Sequence, residues 1–148
     1  MAFVYDLRNP HMGLVYEMKL TRDFDSEEFG ENLTVTYVQN YYLLCLLALQ
    51  FVRDRFGPIH ITSAYRTVFD QERLEQQGYH PSQTSQHLFG EAADFLCPTA
   101  KDMRMVYEYL VNELQWPGEV IYYPKRGHVH VALPHIGVKA DHFINEEA

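Results

Sequence analysis

The 148-residue chain has only two cysteines, Cys45 and Cys97. Two thiols cannot make a disulfide scaffold or a cysteine-rich zinc site. Basic residues are also few, because 12 Lys and Arg stand against 20 Asp and Glu and leave a net charge of −8 at pH 7. A chain this acidic is not expected to hold nucleic acid or an anionic membrane surface through bulk charge. We therefore predict no nucleic-acid partner.

Long hydrophobic runs are missing as well. The longest apolar stretch runs from Tyr41 to Leu49, which is well short of the roughly 20 residues that span a bilayer. The first residues show no basic segment followed by an apolar one, as a secretory signal would. We expect no membrane span and synthesis in the cytoplasm.

The residues that are present suit one globular domain covering 1–148. Hydrophobic residues make up 47% of the chain and aromatic residues 14%, enough apolar material for a core. Periodicity, caps and turn residues predict helices over 36–56, 69–77 and, from an N-cap at Thr99, 103–114. The same signals predict strands over 59–65, 92–97, 119–123 and 128–133. This mixture predicts an α+β fold with an antiparallel sheet flanked by helices, in which 36–56 is a buried core helix.

Two of the eight histidines, His128 and His130, alternate along the last predicted strand. Alternate residues share one face of a strand, about 7 Å apart at the backbone. Two neutral imidazoles on one site suit Zn²⁺. By itself, however, such a pair is more often one half-buried and one hydrogen-bonded histidine on a sheet.

A second element places His87 seven residues before Asp94. On a continuous helix this spacing would separate the two backbones by about 10 Å, which is awkward for sharing one ion. A turn at Gly90 would instead bring Asp94 back toward His87. His87, Asp94 and one strand histidine would then form a three-ligand site with a fourth position for water, as catalytic zinc requires. The plainer alternatives are a surface histidine at 87 and a carboxylate at 94 that caps local amides.

Three motifs together resemble a known family. They are Ser63-Ala-Tyr65-Arg66-Thr67, Ser85-x-His87-x-x-Gly90-x-Ala92-x-Asp94 and His128-x-His130. This set is similar to the zinc D-Ala-D-Ala carboxypeptidases and their L-alanyl-D-glutamate endopeptidase relatives, peptidoglycan peptidases that share a metal-site fold with the hedgehog signalling domain. The resemblance covers about 20–134 and implies a hedgehog/DD-peptidase-like zinc fold.

The resemblance implies that His87, Asp94 and His130 are the zinc ligands. His128 would then stand beside the attacking water or the developing oxyanion. Arg66 would face the substrate and stabilise carbonyl or carboxylate oxygens, a task that suits a planar and permanently charged guanidinium. Ser85 would bind substrate or orient the loop that carries His87.

One position departs from the family pattern. Several members carry an acidic general base three residues before the last ligand, where this chain has Gly127. The base is therefore expected to be His128 or Glu119. His80 and His135 lie in predicted loops and are expected on the surface, at most bordering the cleft.

The expected function is a monomeric, zinc-dependent peptidase acting on peptidoglycan stem peptides, of carboxypeptidase or endopeptidase type. A compact phage-type member, such as an endolysin, would reach the wall after lysis, by non-standard export or in a virion. One alternative is a zinc-binding structural or interaction module that keeps the fold without turnover. Another is a virion-associated protein of the same fold whose lytic role is local.

Overall fold

The computed structural model describes residues 18–31, 33–79 and 85–148. The described chain begins with β1 (Lys19–Thr21), β2 (Phe24–Asp25) and a 3₁₀ turn at Ser26–Phe29. Its helices are α1 (Val35–Leu44), α2 (Gln50–Phe56), α3 (Val68–Gln76) and α4 (Met103–Glu108), and its later strands are β3 (His60–Ser63), β4 (Ala92–Leu96), β5 (Val120–Tyr123), β6 (His128–Ala132) and β7 (His142–Ile144).

Within these ranges, five strands form the main sheet, in the order β3-β4-β6-β5-β7. Neighbouring strands are antiparallel except β5 and β7, which run parallel. The predicted α+β class is confirmed, but the plain antiparallel sheet is wrong at this edge. After β6 the chain runs back to the start of β5, and β7 then pairs with β5 in the same direction. Val120 N donates to Asp141 O, and Asn145 N donates to Tyr122 O.

One long helix spans Val35–Phe56, because α1 continues through a π-helical segment at Cys45–Leu49 into α2. Thr34 caps its start by accepting from Tyr37 N, and Gly57, at φ +93°, ends it. The predicted helix over 36–56 is confirmed. By length and composition it could also cross a membrane, a test that the core helix of a soluble protein passes as well.

Only one face of the long helix belongs to the core. Tyr41 and Leu44 are fully buried there, and the Tyr41 hydroxyl donates to Ala92 O at 2.9 Å. The opposite face leaves large apolar side chains 40–49% exposed, namely Tyr42, Leu43, Leu46, Leu47 and Phe51. The prediction of a buried helix is therefore right for one face of the helix only.

The start of α4 differs from the prediction. Asp102, not Thr99, is its N-cap, with extended backbone and a side chain that accepts from Arg104 N. Thr99 instead donates its hydroxyl to Phe56 O at 3.0 Å. Both residue types cap helices well, and here this long-range contact occupies the Thr99 hydroxyl.

The register of the sheet brings the histidine motif against Asp94. On β6, His130 lies opposite Asp94 of β4, and His128 lies opposite Tyr123 of β5. Between the histidines, Val129 is fully buried in the core. Because side chains alternate along a strand, His128 and His130 share the face of the sheet that carries Asp94.

Candidate metal centre

The turn at Gly90 brings His87 back toward Asp94. Residues 86–90 form turns that lead into β4. Gly90 has φ +63°, and a Cβ there would lie 2.6 Å from the Tyr37 ring. Both facts favour glycine at this position. Asp94 Oδ1 consequently lies 3.2 Å from His87 Nε2.

Three buried side chains converge at this point. His87, Asp94 and His130 each offer a ligand atom, and these atoms all lie within 4.8 Å of one another. Asp94 Oδ1 is 2.8 Å from His130 Nδ1 as well as 3.2 Å from His87 Nε2. Ligands of a tetrahedral ion with bonds of about 2.1 Å are about 3.4 Å apart. The two distances from Asp94 Oδ1 lie within about 0.6 Å of this spacing, and the three side chains together could hold a small cation.

His87 is oriented for this role by the backbone. Its Nδ1 lies 2.7 Å from Ala64 O, a contact in which the ring must donate because a carbonyl only accepts. In the neutral ring the proton therefore sits on Nδ1, which leaves the lone pair of Nε2 available to a metal ion. Metal-binding histidines are commonly fixed in this way by a partner on the other nitrogen.

His130 has a carboxylate near each ring nitrogen. Nδ1 faces Asp94, while Nε2 lies 3.0 Å from Glu119 Oε1. Although this distance is short, the two atoms are not aligned as a hydrogen bond requires. His130 Nε2 therefore has no hydrogen-bond partner among the described residues. Of the two candidate bases, Glu119 thus contacts the nitrogen that faces away from Asp94.

His128 lies on the other side of Asp94. Its Nε2 is 3.9 Å from Asp94 Oδ2, and its ring packs on Tyr123 with centroids 5.0 Å apart. Nε2 is buried and has no hydrogen-bond partner among the described residues. A buried polar atom of this kind calls for an explanation, and a water or substrate group at the centre would provide the partner.

Arg66 and Ser85 each contact one of the three converging residues. The Arg66 guanidinium contacts Ser63 Oγ at 3.0 Å, Gln71 Oε1 at 3.4 Å and Asp94 Oδ2 at 3.4 Å. Ser85 Oγ accepts from the His87 backbone N–H at 3.3 Å. Of the two roles predicted for Ser85, this contact corresponds to orienting the His87 loop.

The electrostatics of the metal-free site follow from burial and from these pairings. Burial works to raise the pKa of Asp94, but His87 and His130 hold it well below its usual value. Burial works to lower the pKa of His130, but the carboxylates of Asp94 and Glu119 raise it to about 9. Burial lowers the pKa of His87 despite Asp94. Without metal, the centre therefore holds an Asp94–His130 ion pair beside a neutral His87.

This pairing predicts how the stability of the metal-free protein depends on pH. The folded-state pKa of His130, about 9, lies above the unfolded value of about 6.5. Its stabilising contribution is complete below about pH 6.5 and is lost as the pH rises toward 9. The free energy of unfolding should fall by about 1 kcal/mol for each pH unit in this window.

Urea denaturation of the chelator-treated protein at about pH 7 and about pH 8.5 measures this fall. Glu119→Gln is the matched variant, since it removes one of the two charges that raise the His130 pKa, and its slope should be smaller. A stability that rises over this interval would contradict the proposed pairing.

The cluster opens into a cleft of about 1140 Å³, which is also lined by Arg66, Glu119 and Arg126. Arg126 was missed at the sequence level, because Lys125-Arg126-Gly127 reads only as a turn. Its proximity to His128 along the chain was the available signal. His80 lies outside the described residues. His135 is half exposed, and its Nδ1 contacts Glu91 Oε2 at 2.7 Å.

Comparison with known proteins identifies the family of the chain. A family model described as Peptidase M15 matches residues 22–132, a range that contains all three converging side chains. No curated protein matches the chain. The resemblance inferred from the motifs is thereby confirmed at the level of the family. The chain belongs to the peptidase M15 family.

Proposed function

We propose that the protein is a zinc-dependent peptidase that hydrolyses the stem peptides of peptidoglycan, as a carboxypeptidase or an endopeptidase. The observation that carries the proposal is the convergence of His87, Asp94 and His130 on one point of an open cleft. His128 Nε2, which has no hydrogen-bond partner within the described part of the chain and lies beside the same carboxylate, supports catalysis rather than a purely structural site.

Zinc is the ion that this donor set fits best. Two imidazoles and one carboxylate are typical zinc ligands, and three protein ligands leave a coordination position open, as in catalytic sites. Hard cations such as Mg²⁺ and Ca²⁺ prefer oxygen ligands throughout. The backbone partner of His87 fixes the tautomer that a metal needs.

When bound, Zn²⁺ supplies a Lewis acid that polarises the scissile carbonyl and lowers the pKa of water. The protein moves the proton. Burial lowers the pKa of His128 although Asp94 opposes this effect, so that the imidazole is neutral near pH 7 and its Nε2 can accept a proton from water. The same nitrogen can then donate to the leaving amine.

Arg66 and Asp94 keep the centre in position during this chemistry. The guanidinium holds Asp94 Oδ2 at 3.4 Å and thereby leaves Oδ1 directed at the two imidazoles. Because Arg66 also lines the cleft, we propose that its charge helps to stabilise the developing oxyanion.

The test is digestion of purified peptidoglycan and of a D-Ala-D-Ala peptide, with products identified by mass spectrometry and metal content measured on the same sample. We expect one zinc per chain, hydrolysis by the loaded protein, loss of hydrolysis with chelator and recovery with zinc. Tight zinc binding without cleavage of any wall peptide would favour the non-catalytic module. Hydrolysis at full rate without metal would refute the proposal.

A further inference from the structure

Arg126 lies in the turn between β5 and β6, two residues before His128, and lines the same cleft. Its guanidinium carbon is 5.3 Å from the centre of the Tyr79 ring and 5.5 Å from the centre of the Tyr123 ring. Contacts of a guanidinium with aromatic rings restrict its position without using its N–H groups. The turn thus presents a positioned cation at the rim of the site.

The other two arginines that line the cleft differ from Arg126 in their partners. Arg66 lies 3.4 Å from Asp94 Oδ2, and Arg73 contacts Asp70. No carboxylate of the described residues lies within ion-pair distance of Arg126. Of these three cations, Arg126 is therefore the one that has no carboxylate partner among the described residues.

The other charged side chains of the cleft include carboxylates, so an acidic ligand needs a cation such as Arg126 in order to bind. Glu28 and Glu31 also line the cleft, and the chain carries a net charge of −8. These charges oppose the approach of an anion, so that a carboxylate would be held only next to a cation. A guanidinium matches a carboxylate with two parallel hydrogen bonds.

We propose that Arg126 is the specificity-determining residue that binds a free carboxylate of the peptide substrate. This inference rests on the proposed peptidase function and narrows its substrate class. The ring of Tyr123 contacts both Arg126 and His128. It packs against the Arg126 guanidinium, and its centre lies 5.0 Å from the centre of the His128 ring. An extended peptide spans about 3.5 Å per residue. The selected carboxylate therefore lies within about three residues of the cleaved bond.

The experiment compares a diacetyl-Lys-D-Ala-D-Ala peptide that ends in a free acid with the same peptide ending in an amide, and repeats the comparison for the side-chain carboxylate of D-Glu and its amide in a stem peptide. Both equilibrium binding to the zinc-loaded protein and hydrolysis are measured. We expect the wild type to bind and cleave one acid about 10 to 100-fold better than its amide.

Arg126→Ala should lower this preference to about threefold or less, mainly through weaker binding and a higher KM. Arg126→Lys should keep part of the preference, because it retains the charge but not the paired hydrogen bonds. Arg73→Ala is the matched control and should leave the preference unchanged, since that arginine is already paired with Asp70.

An acid preference that survives in Arg126→Ala would overturn the assignment, as would a wild type that treats acid and amide alike. The binding measurement separates this outcome from failure of the peptidase proposal. Acid-selective binding that Arg126→Ala abolishes, without hydrolysis by the wild type, would support the carboxylate site and refute the proposed activity.

Discussion

Replacing Asp94 with alanine should remove both the bound metal and the hydrolytic activity. One oxygen of this carboxylate lies between His87 Nε2 and His130 Nδ1, and the other contacts Arg66. The substitution deletes a ligand and leaves the Arg66 charge without its buried partner. We expect zinc content to fall from one per chain to near zero and kcat/KM to fall by about 10³-fold or more.

Two further variants make this result specific. Asp94→Asn keeps the shape of the side chain and should still lose most of the metal, because the neutral amide oxygen is a weaker ligand. Glu31→Ala removes an exposed carboxylate from the same cleft and should keep metal and activity. Wild-type zinc content in a folded Asp94→Ala protein would contradict the assignment of this ligand.

Replacing His128 with glutamine should separate proton transfer from metal binding. Its Nε2 is buried, lies 3.9 Å from Asp94 Oδ2 and has no hydrogen-bond partner in residues 18–31, 33–79 and 85–148. The three converging ligand atoms belong to other residues. Loss of a general base costs about 10² to 10⁴-fold in kcat. We therefore expect a loss of this size in His128→Gln with zinc content unchanged, measured on the same preparation.

Glu119→Gln is the comparison that decides between the two candidate bases. Glu119 stands beside His130 Nε2, and glutamine retains an oxygen at this position. Its kcat should therefore fall much less than that of His128→Gln. If Glu119→Gln were the variant with the large loss in kcat and His128→Gln were nearly as active as the wild type, the assignment of the base would be reversed.

The pH profile gives a second readout for His128. Because burial lowers its pKa, the neutral form that accepts the proton persists below the usual histidine range. The acidic limb of the kcat profile should therefore have its midpoint below about pH 6.5. His128→Gln should lack this limb.

Much of the fold could be predicted because local signals and tertiary structure agree. The long helix is bounded by a threonine cap and a glycine, and β5 and β6 alternate around a short turn. β7 was missed because it has three residues, His142–Ile144, with little burial and no alternation. Its parallel pairing with β5 is decided by how the preceding chain returns, which no local pattern encodes.

In the site, too, some features could be predicted from local sequence signals and others depend on tertiary packing. The motif spacing identified His87, Asp94 and His130 as a group, and the register of β4 and β6 explains why two of them meet. The partners that orient them come from distant positions, Ala64 for His87 and Glu119 for His130. These contacts depend on the packing of loops against strands. The sequence could therefore predict the three ligands, but it could not predict which residues orient the imidazole rings of His87 and His130.

The most direct test of the metal centre is an anomalous difference map from a crystal of the zinc-loaded protein, recorded at the zinc absorption edge. The predicted result is one strong peak about 2.0 to 2.2 Å from His87 Nε2, Asp94 Oδ1 and His130 Nδ1, with His128 close by but not bonded to the ion. A peak elsewhere, or none at all between these three side chains, would contradict the central claim.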